Sequence, residues 1–396
     1  MFRRSNRGDS FKRNNHFGNK RFSRPASNSG IIHESKYIKK AEEIAEQVTF
    51  VPTKLFAELD IHPILKKNID SMGYTHPTPI QDGTINHVLA GKDVIGIANT
   101  GTGKTAAFLI PLLHKAVQSK EHKTLIIVPT RELAAQIREE MRALSRSIGV
   151  YATLIIGGEF MGRQISELRA NPQFVIGTPG RLKDLIEKRY LDISKFDSIV
   201  LDEVDRMLDM GFIQDIRYLI SLLPKQRQSL FFSATLSNDI RALIQTFVTD
   251  PVMVSVKTND TAVNVDQDIV RIKYGTHKID VLEELLKKDD FKKVLIFGRT
   301  KRGVEHLSKS LFQRGFKVSS IHGDKPQSKR SQAIRLFEQN VIDILVATDV
   351  ASRGIDISDI THVINYDEPA TYEDYVHRIG RTGRANKRGV ALTFVD

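Results

Sequence analysis

At 396 residues the chain is long for one hydrophobic core and comfortable for two, and its 40% hydrophobic content is that of a globular protein. It has no cysteine, which removes disulfides, thiolate metal sites and thiol nucleophiles together, so any catalysis has to come from carboxylates, hydroxyls, amines and a hard metal ion. The formal charge is +12, no apolar run approaches the roughly 20 residues that cross a bilayer, and the basic start lacks a secretory leader's apolar stretch; a cytoplasmic chain without a membrane partner is expected.

In chain order, the first 30 residues hold eight Lys and Arg (Arg3, Arg4, Arg7, Lys12, Arg13, Lys20, Arg21, Arg24) against Asp9 alone, which is +7 of the +12. Phe2, Phe11, Phe17 and Phe22 are spaced among Asn, Ser and Gly. Such a composition cannot bury enough surface to fold alone but suits phosphate contacts and base stacking, so a disordered basic tail over 1–32 is predicted, with nucleic acid as its partner and a merely solvated arm as the alternative. His33 to about Val48 then reads as a short amphipathic helix with Ile38, Ala41, Ile44 and Ala45 on one side, a helical extension over 33–50.

Short apolar runs alternate with helical patterns from there. Asp93–Ala98, Thr124–Val128, Phe174–Ile176, Ser198–Leu201 and Leu230–Phe232 predict buried parallel strands with helices between them. The alternation pauses over 257–265, a polar linker, and resumes with Lys293–Phe297, Lys317–Ile321, Asp343–Ala347, His362–Asn365 and Val390–Val395. The fold class is therefore α/β, with two tandem parallel-sheet domains at 51–256 and 266–396. Ligands of open parallel sheets sit beyond the carboxyl ends of the strands, where the motifs fall.

The first motif runs from Ala98 through Asn99, Thr100, Gly101, Thr102 and Gly103 to Lys104 and Thr105. A strand entering this turn and an apolar helix leaving it make a phosphate cradle: glycines admit backbone N–H groups, Lys104 neutralises phosphate charge and Thr105 offers a hydroxyl to Mg²⁺. Next, Ile199-Val200-Leu201 delivers Asp202-Glu203-Val204-Asp205 to the sheet edge. Asp202 is the candidate to hold Mg²⁺ through water, and Glu203 to orient and deprotonate the attacking water.

With these two motifs the sequence resembles the DEAD-box RNA helicases of superfamily 2 from about Phe56 to Val395, a dozen short motifs occurring in family order. Val204 replaces the family alanine of the box. The resemblance implies two RecA-like domains, ATP and Mg²⁺ as nucleotide and ion, RNA-stimulated ATP hydrolysis, and RNA, single-stranded or in short duplexes, as partner. It further implies a monomer working among ribonucleoprotein or ribosome-assembly partners. Phe56 with Gly73 to Gln81 looks like the adenine-recognition motif, in which Thr78 and Gln81 take part; a Gln amide donates and accepts at once, matching the N6/N7 edge of adenine.

RNA contacts implied in the first domain are Pro129, Thr130, Arg131, Gly158, Thr178 and Arg181, and in the second Thr300 and Thr348. Hydroxyls, backbone N–H groups and Arg point to phosphate and sugar contact independent of base sequence. Ser233-Ala234-Thr235 resembles the motif that couples the nucleotide site to strand separation, its hydroxyls reaching Asp205. Asp356 is the implied ribose contact, and Asp349 and Arg353 brace the interface. In His377 to Arg384, similar to the family's sixth motif, Arg381 and Arg384 are the candidates for γ-phosphate stabilisation across the cleft, His377 is a coupling residue, and Arg378 is structural. Family members usually continue into a further helix after Val390–Val395. The expected function is ATP-dependent RNA unwinding; the alternatives are an ATP-gated RNA clamp that remodels RNA–protein complexes and, within enzymes, a DNA translocase.

Overall fold

The computed structural model describes residues 32–41, 50–99, 101–248, 250–256, 264–352, 357, 359–383 and 387–395. Thirteen strands are present among them. In the first domain they are β1 (Val94–Ile97), β2 (Thr124–Ile127), β3 (Ala152–Ile155), β4 (Phe174–Gly177), β5 (Ser198–Leu201), β6 (Gln228–Ser233) and β7 (Val252–Ser255). The second domain holds β8 (Val265–Arg271), β9 (Val294–Phe297), β10 (Val318–Ile321), β11 (Ile344–Ala347), β12 (His362–Asn365) and β13 (Gly389–Val395).

All pairings between these strands are parallel, in the orders β3-β4-β2-β5-β6-β1-β7 and β10-β11-β9-β12-β13-β8. A parallel strand covered on both faces has no polar side to present, which is why runs such as Thr124-Leu125-Ile126-Ile127 are continuously apolar. Successive residues feed opposite layers: Ile126 and Val200 pack into one core of the first domain, Leu125, Ile127 and Leu201 into the other. The second sheet divides in the same way, with Leu295 and Leu345 on one side and Val294, Ile296 and Ile344 on the other.

The alternation of apolar runs finds ten of the thirteen strands and misses β3, β7 and β8. All three lie at sheet edges. The predicted linker also runs one residue too far, since Val265 already pairs with Gly389. The amphipathic helix expected from His33 to Val48 is not formed where it can be seen: a single 3₁₀ turn covers Glu34–Tyr37, residues 38–41 are extended, and Lys39 bridges Gln267 in the antiparallel sense. Residues 42–49 fall outside the described part, as does the tail to residue 31. No described helix is long and apolar enough to cross a membrane.

Candidate nucleotide and RNA site

β1 ends at Ile97, and the helix Lys104–Gln118 begins after the glycine turn. Gly103 has φ +90°, the left-handed region, and a Cβ there would collide with the Gln81 side chain, so the position admits glycine on both counts. The Gln81 amide is engaged with the same loop: Oε1 accepts from Thr78 N at 2.9 Å and Nε2 donates to the Gly103 carbonyl at 3.0 Å. Thr78 Oγ1 donates to the Thr102 carbonyl at 2.8 Å. Thr78 and Gln81 thus brace the phosphate loop, leaving the amide one further hydrogen and one further lone pair for a base edge. Phe56 is buried in the same domain, stacked on Tyr74 with ring centroids 6.3 Å apart.

Lys104 is buried, and its ammonium donates to the Ala98 carbonyl at 2.9 Å. Asp202 is buried at the end of β5; burial, joined by the Glu203 and Asp205 charges, pushes its carboxyl up to about 6 against the pull of Lys104. Glu203 has φ +53°, a left-handed backbone that costs a non-glycine residue about 1 to 2 kcal/mol. The turn is held by Asp202 Oδ1 accepting from Glu203 N at 2.9 Å and by Arg206 Nε, 3.4 Å from Glu203 Oε2. Val204 is fully buried in the core beneath. Asp205 Oδ2 accepts from Ala234 N at 3.0 Å and Thr235 N at 3.1 Å, with the Thr235 hydroxyl further away at 3.4 Å. The expected link to Ser233-Ala234-Thr235 is therefore present, but carried mainly by backbone amides; the Ser233 hydroxyl instead accepts from Thr235 N.

The implied RNA contacts follow strand ends. Thr130 and Thr300, placed alike after β2 and β9, each cap the following helix, accepting from Leu133 N at 3.2 Å and Gly303 N at 3.0 Å. Pro129 lies between β2 and Thr130, and Thr178 is the N-cap of the helix Pro179–Glu187. Gly158 has φ +78° and packs under Arg131, whose guanidinium a Cβ would strike. Arg181 donates to the Glu159 carbonyl at 3.4 Å. Thr348 is buried at the end of β11.

In the second domain Arg378 is almost wholly buried. It grips Asp349 with two contacts of 2.6 and 2.8 Å and donates to Asn365 Oδ1 and the Asp367 carbonyl, a structural role as expected. His377 and Arg381 line a narrow crevice with Asp349 and Arg206, the latter from the first domain. Thr100, Arg353, Asp356 and Arg384 lie outside the described residues.

A cavity of about 630 Å³ joins these parts. From the first domain Gly101, Gly103, Lys104, Thr105, Asp202 and Glu203 open into it. Ser331, Ile334, Arg335 and Glu338 of the second domain's helix Gln327–Glu338 close it. Arg381 is not among its lining residues; it shares the neighbouring crevice with Arg206, whose Nε lies 3.4 Å from Glu203 of the cavity. The sequence also left unmarked the contact that holds the helix there: Gln327 Nε2 donates to Glu132 Oε1 at 2.9 Å, and Arg330 Nη2 lies 2.8 Å from the same oxygen. Glu132 follows Arg131 in an expected RNA motif, but Gln327 is 195 residues away and Arg330 further still, so nothing local in the sequence singles the pair out.

A phosphate loop and strand-end carboxylates on one parallel sheet, faced by a second sheet of the same kind, define a two-domain phosphate-loop protein of the helicase-core class. Residues 78–243 match the family model for the DEAD/DEAH box helicase, and residues 277–386 that for the helicase conserved C-terminal domain. The ATP-dependent RNA helicase CshA of Listeria monocytogenes is 47% identical over 343 residues, 86% of this chain and 66% of that protein. Saccharomyces cerevisiae Dbp5 bound to RNA and ADP BeF3 is 31% identical, covers 86% of this chain and 89% of its own, and superposes with a TM-score of 0.75. A DEAD box protein from Methanococcus jannaschii is 38% identical, with 87% and 94% of the two chains covered and a TM-score of 0.51. The chain belongs to the DEAD-box helicase family. It spans just under two thirds of the length of the Listeria relative.

Proposed function

We propose that the chain is an ATP-dependent RNA helicase core that grips RNA by its backbone and couples ATP hydrolysis to local strand separation. The observation that carries the reading is the cavity lined by Lys104, Thr105, Asp202 and Glu203 on one side and by the second domain's helix on the other, so that nucleotide occupancy and domain contact depend on each other.

The chemistry follows from the donors present. Lys104 transfers its ammonium from the Ala98 carbonyl to the β- and γ-phosphates, and the amides of Gly101 to Gly103 bind the oxygens. Thr105 and Asp202 offer a hydroxyl and a carboxylate, hard oxygens in a buried site already crowded with negative charge, which fits a divalent cation. These residues would hold Mg²⁺, which would supply positive charge to the phosphate oxygens. Glu203 takes the proton of the attacking water, and the Arg206 guanidinium, 3.4 Å away, holds its carboxylate in place. Arg381 and Arg384 supply guanidinium charge to the γ-phosphate when the crevice closes on the cavity. Gln81 reads adenine with its remaining donor and acceptor, beside Phe56 and Thr78; Asp356 holds the ribose.

Pro129, Thr130, Arg131, Gly158, Thr178, Arg181, Thr300 and Thr348 are assigned to phosphate and sugar, which gives binding without base preference. Asp205, Ser233, Thr235, Arg353 and His377 pass the state of the nucleotide to these contacts. A cytoplasmic monomer acting on ribonucleoprotein or ribosome-assembly complexes is the setting that this chemistry and the basic arm suit. The test is ATP turnover with and without RNA, run beside displacement of a short RNA duplex. Stimulated turnover with displacement supports the helicase; stimulated turnover without displacement converts the reading to a clamp; no stimulation by RNA overturns both.

A further inference from the structure

Residues 33–41 precede the first domain in the chain, yet their partners belong to the second. Tyr37 is completely buried and packs with Val265, Tyr375, Ile379, Ala391 and Val395. Its ring lies 4.8 Å from that of Tyr375, centroid to centroid, and the Lys36 ammonium sits 5.0 Å over the Tyr372 ring. Lys39 exchanges both backbone hydrogen bonds with Gln267 of β8, at 3.1 and 2.7 Å, so the segment adds a short antiparallel rung to the open edge of the second sheet. Ala41 N donates to Asp266 Oδ1 at 3.1 Å, and Glu34 pairs with Arg271. Further along the chain, Thr53 is fixed to the first domain through its N–H and hydroxyl on Asp82.

What the segment presses on is the helix Tyr372–Ile379. Tyr375 and Ile379, four residues apart, form the face that Tyr37 covers, and Tyr375 is further tied by its hydroxyl to Gln267 Oε1 at 2.9 Å. Arg378 anchors the same helix to Asp349. His377 lies on this helix and Arg381 in the turn that follows, both lining the crevice that meets Arg206. The helix is thus clamped between an ion pair and an aromatic pair, and half of the aromatic pair is supplied by the N-terminal segment.

We propose that Tyr37 is a positioning residue for hydrolysis: residues 33–41 complete the second domain's sheet edge, and Tyr37, through Tyr375, sets the helix that aims His377 and Arg381. The inference rests on the reading of Arg381 as the trans-acting arginine. The Tyr37 hydroxyl is buried without a hydrogen-bond partner, so the ring alone does the positioning. Misplacing a charge-stabilising group by about 1 Å costs up to roughly 100-fold in rate while leaving binding contacts elsewhere untouched.

The test uses the full-length chain carrying Tyr37→Ala, Tyr37→Phe, Lys39→Pro or Arg381→Ala, with kcat and KM for ATP measured at saturating RNA and thermal melting followed in parallel. Lys39→Pro removes the donor to the Gln267 carbonyl without opening a hole in the core, and so serves if Tyr37→Ala fails to fold. Tyr37→Ala and Lys39→Pro should lower kcat by about 10- to 100-fold with KM for ATP nearly unchanged. Tyr37→Phe should keep the wild-type kcat. A folded Lys39→Pro or Tyr37→Ala protein with wild-type kcat, or a Tyr37→Phe protein as impaired as the alanine variant, overturns the proposal. Wild-type turnover in Arg381→Ala would instead remove the arginine reading beneath it, whatever Tyr37 does.

Discussion

Arg330 and Glu132 form an ion pair of 2.8 Å that is buried between the two domains, with Gln327 bonded to the same carboxylate oxygen. Each charge is dry only while the domains touch. Such a pair contributes little net stability, because its attraction is offset by desolvation of both ions, but loss of one member leaves the other buried and uncompensated.

Arg330→Ala should therefore weaken the closed arrangement by about 3 to 5 kcal/mol, toward the lower figure because the Gln327 amide still reaches Glu132. ATP binding without RNA should persist, since Lys104 and Gln81 are untouched, while RNA-stimulated turnover should drop. Pairing it with Glu132→Leu should recover part of the loss. A double-mutant cycle on RNA-stimulated ATPase rates checks this; additive losses would mean the pair does not couple the domains.

Glu203→Gln should bind ATP and RNA and stall with both in place. The amide keeps the shape of the left-handed turn at φ +53° but cannot accept a proton from water. Single-turnover hydrolysis should fall by a factor of about 100 or more, while an anisotropy titration of labelled RNA with ATP present should show binding at least as tight as wild type. Near-normal hydrolysis would remove Glu203 from the proton transfer.

Gln81→Ala carries two expectations because the side chain has two engagements. Loss of its bonds to Thr78 N and the Gly103 carbonyl loosens the phosphate loop, and loss of the purine edge contact erodes discrimination. ATP affinity should fall, and the preference for ATP over GTP should shrink, since a site built to hydrogen-bond a base is what rejects the wrong one. Competition binding with the two nucleotides separates the effects: weaker ATP binding with an unchanged ratio would confine Gln81 to the loop.

Removal of residues 1–30 should lower RNA affinity without altering base preference. If half of the eight basic side chains meet phosphate, the slope of log affinity against log salt should lessen by about 3 for single strands. ATPase activity at low salt should survive, because the truncation stops short of Tyr37. Identical slopes for the two proteins would make the arm a solvated appendage.

The central strands were legible because burial on two faces leaves an apolar run as the only workable sequence; Ser198–Leu201 and His362–Asn365 stand where the runs place them. The strands β3, β7 and β8 were not, and all three are edge strands, where one neighbour fewer tolerates polar positions, as in Val265-Asp266-Gln267-Asp268; the fourth edge, β10, was found all the same. Asp202 and Glu203 directly follow β5, and Lys104 follows β1 across the glycine turn, so their spacing could be read from the sequence. Glu132, Arg206, Gln327 and Arg330 could not, since nothing local distinguishes a buried interdomain charge from a solvated one on a helix face. The segment before the first domain was misread for the same reason: Ile38 and Ala41 look like apolar positions of a helix, while Tyr37, which that pattern passes over, has its partner in the helix Tyr372–Ile379.

That partnership has a consequence for biosynthesis. Tyr37 leaves the ribosome about 340 residues ahead of Tyr375, which at roughly 5 to 20 residues per second is a wait of about 17 to 70 s. The first domain can fold in that interval, but the segment that caps β8 has no surface to dock on until the second sheet is made, and its ring, backbone donors and neighbouring basic residues stay available to other molecules. Docking of Tyr37 therefore waits for synthesis of the second domain, and it brings the ring under the helix bearing His377 only once both domains exist.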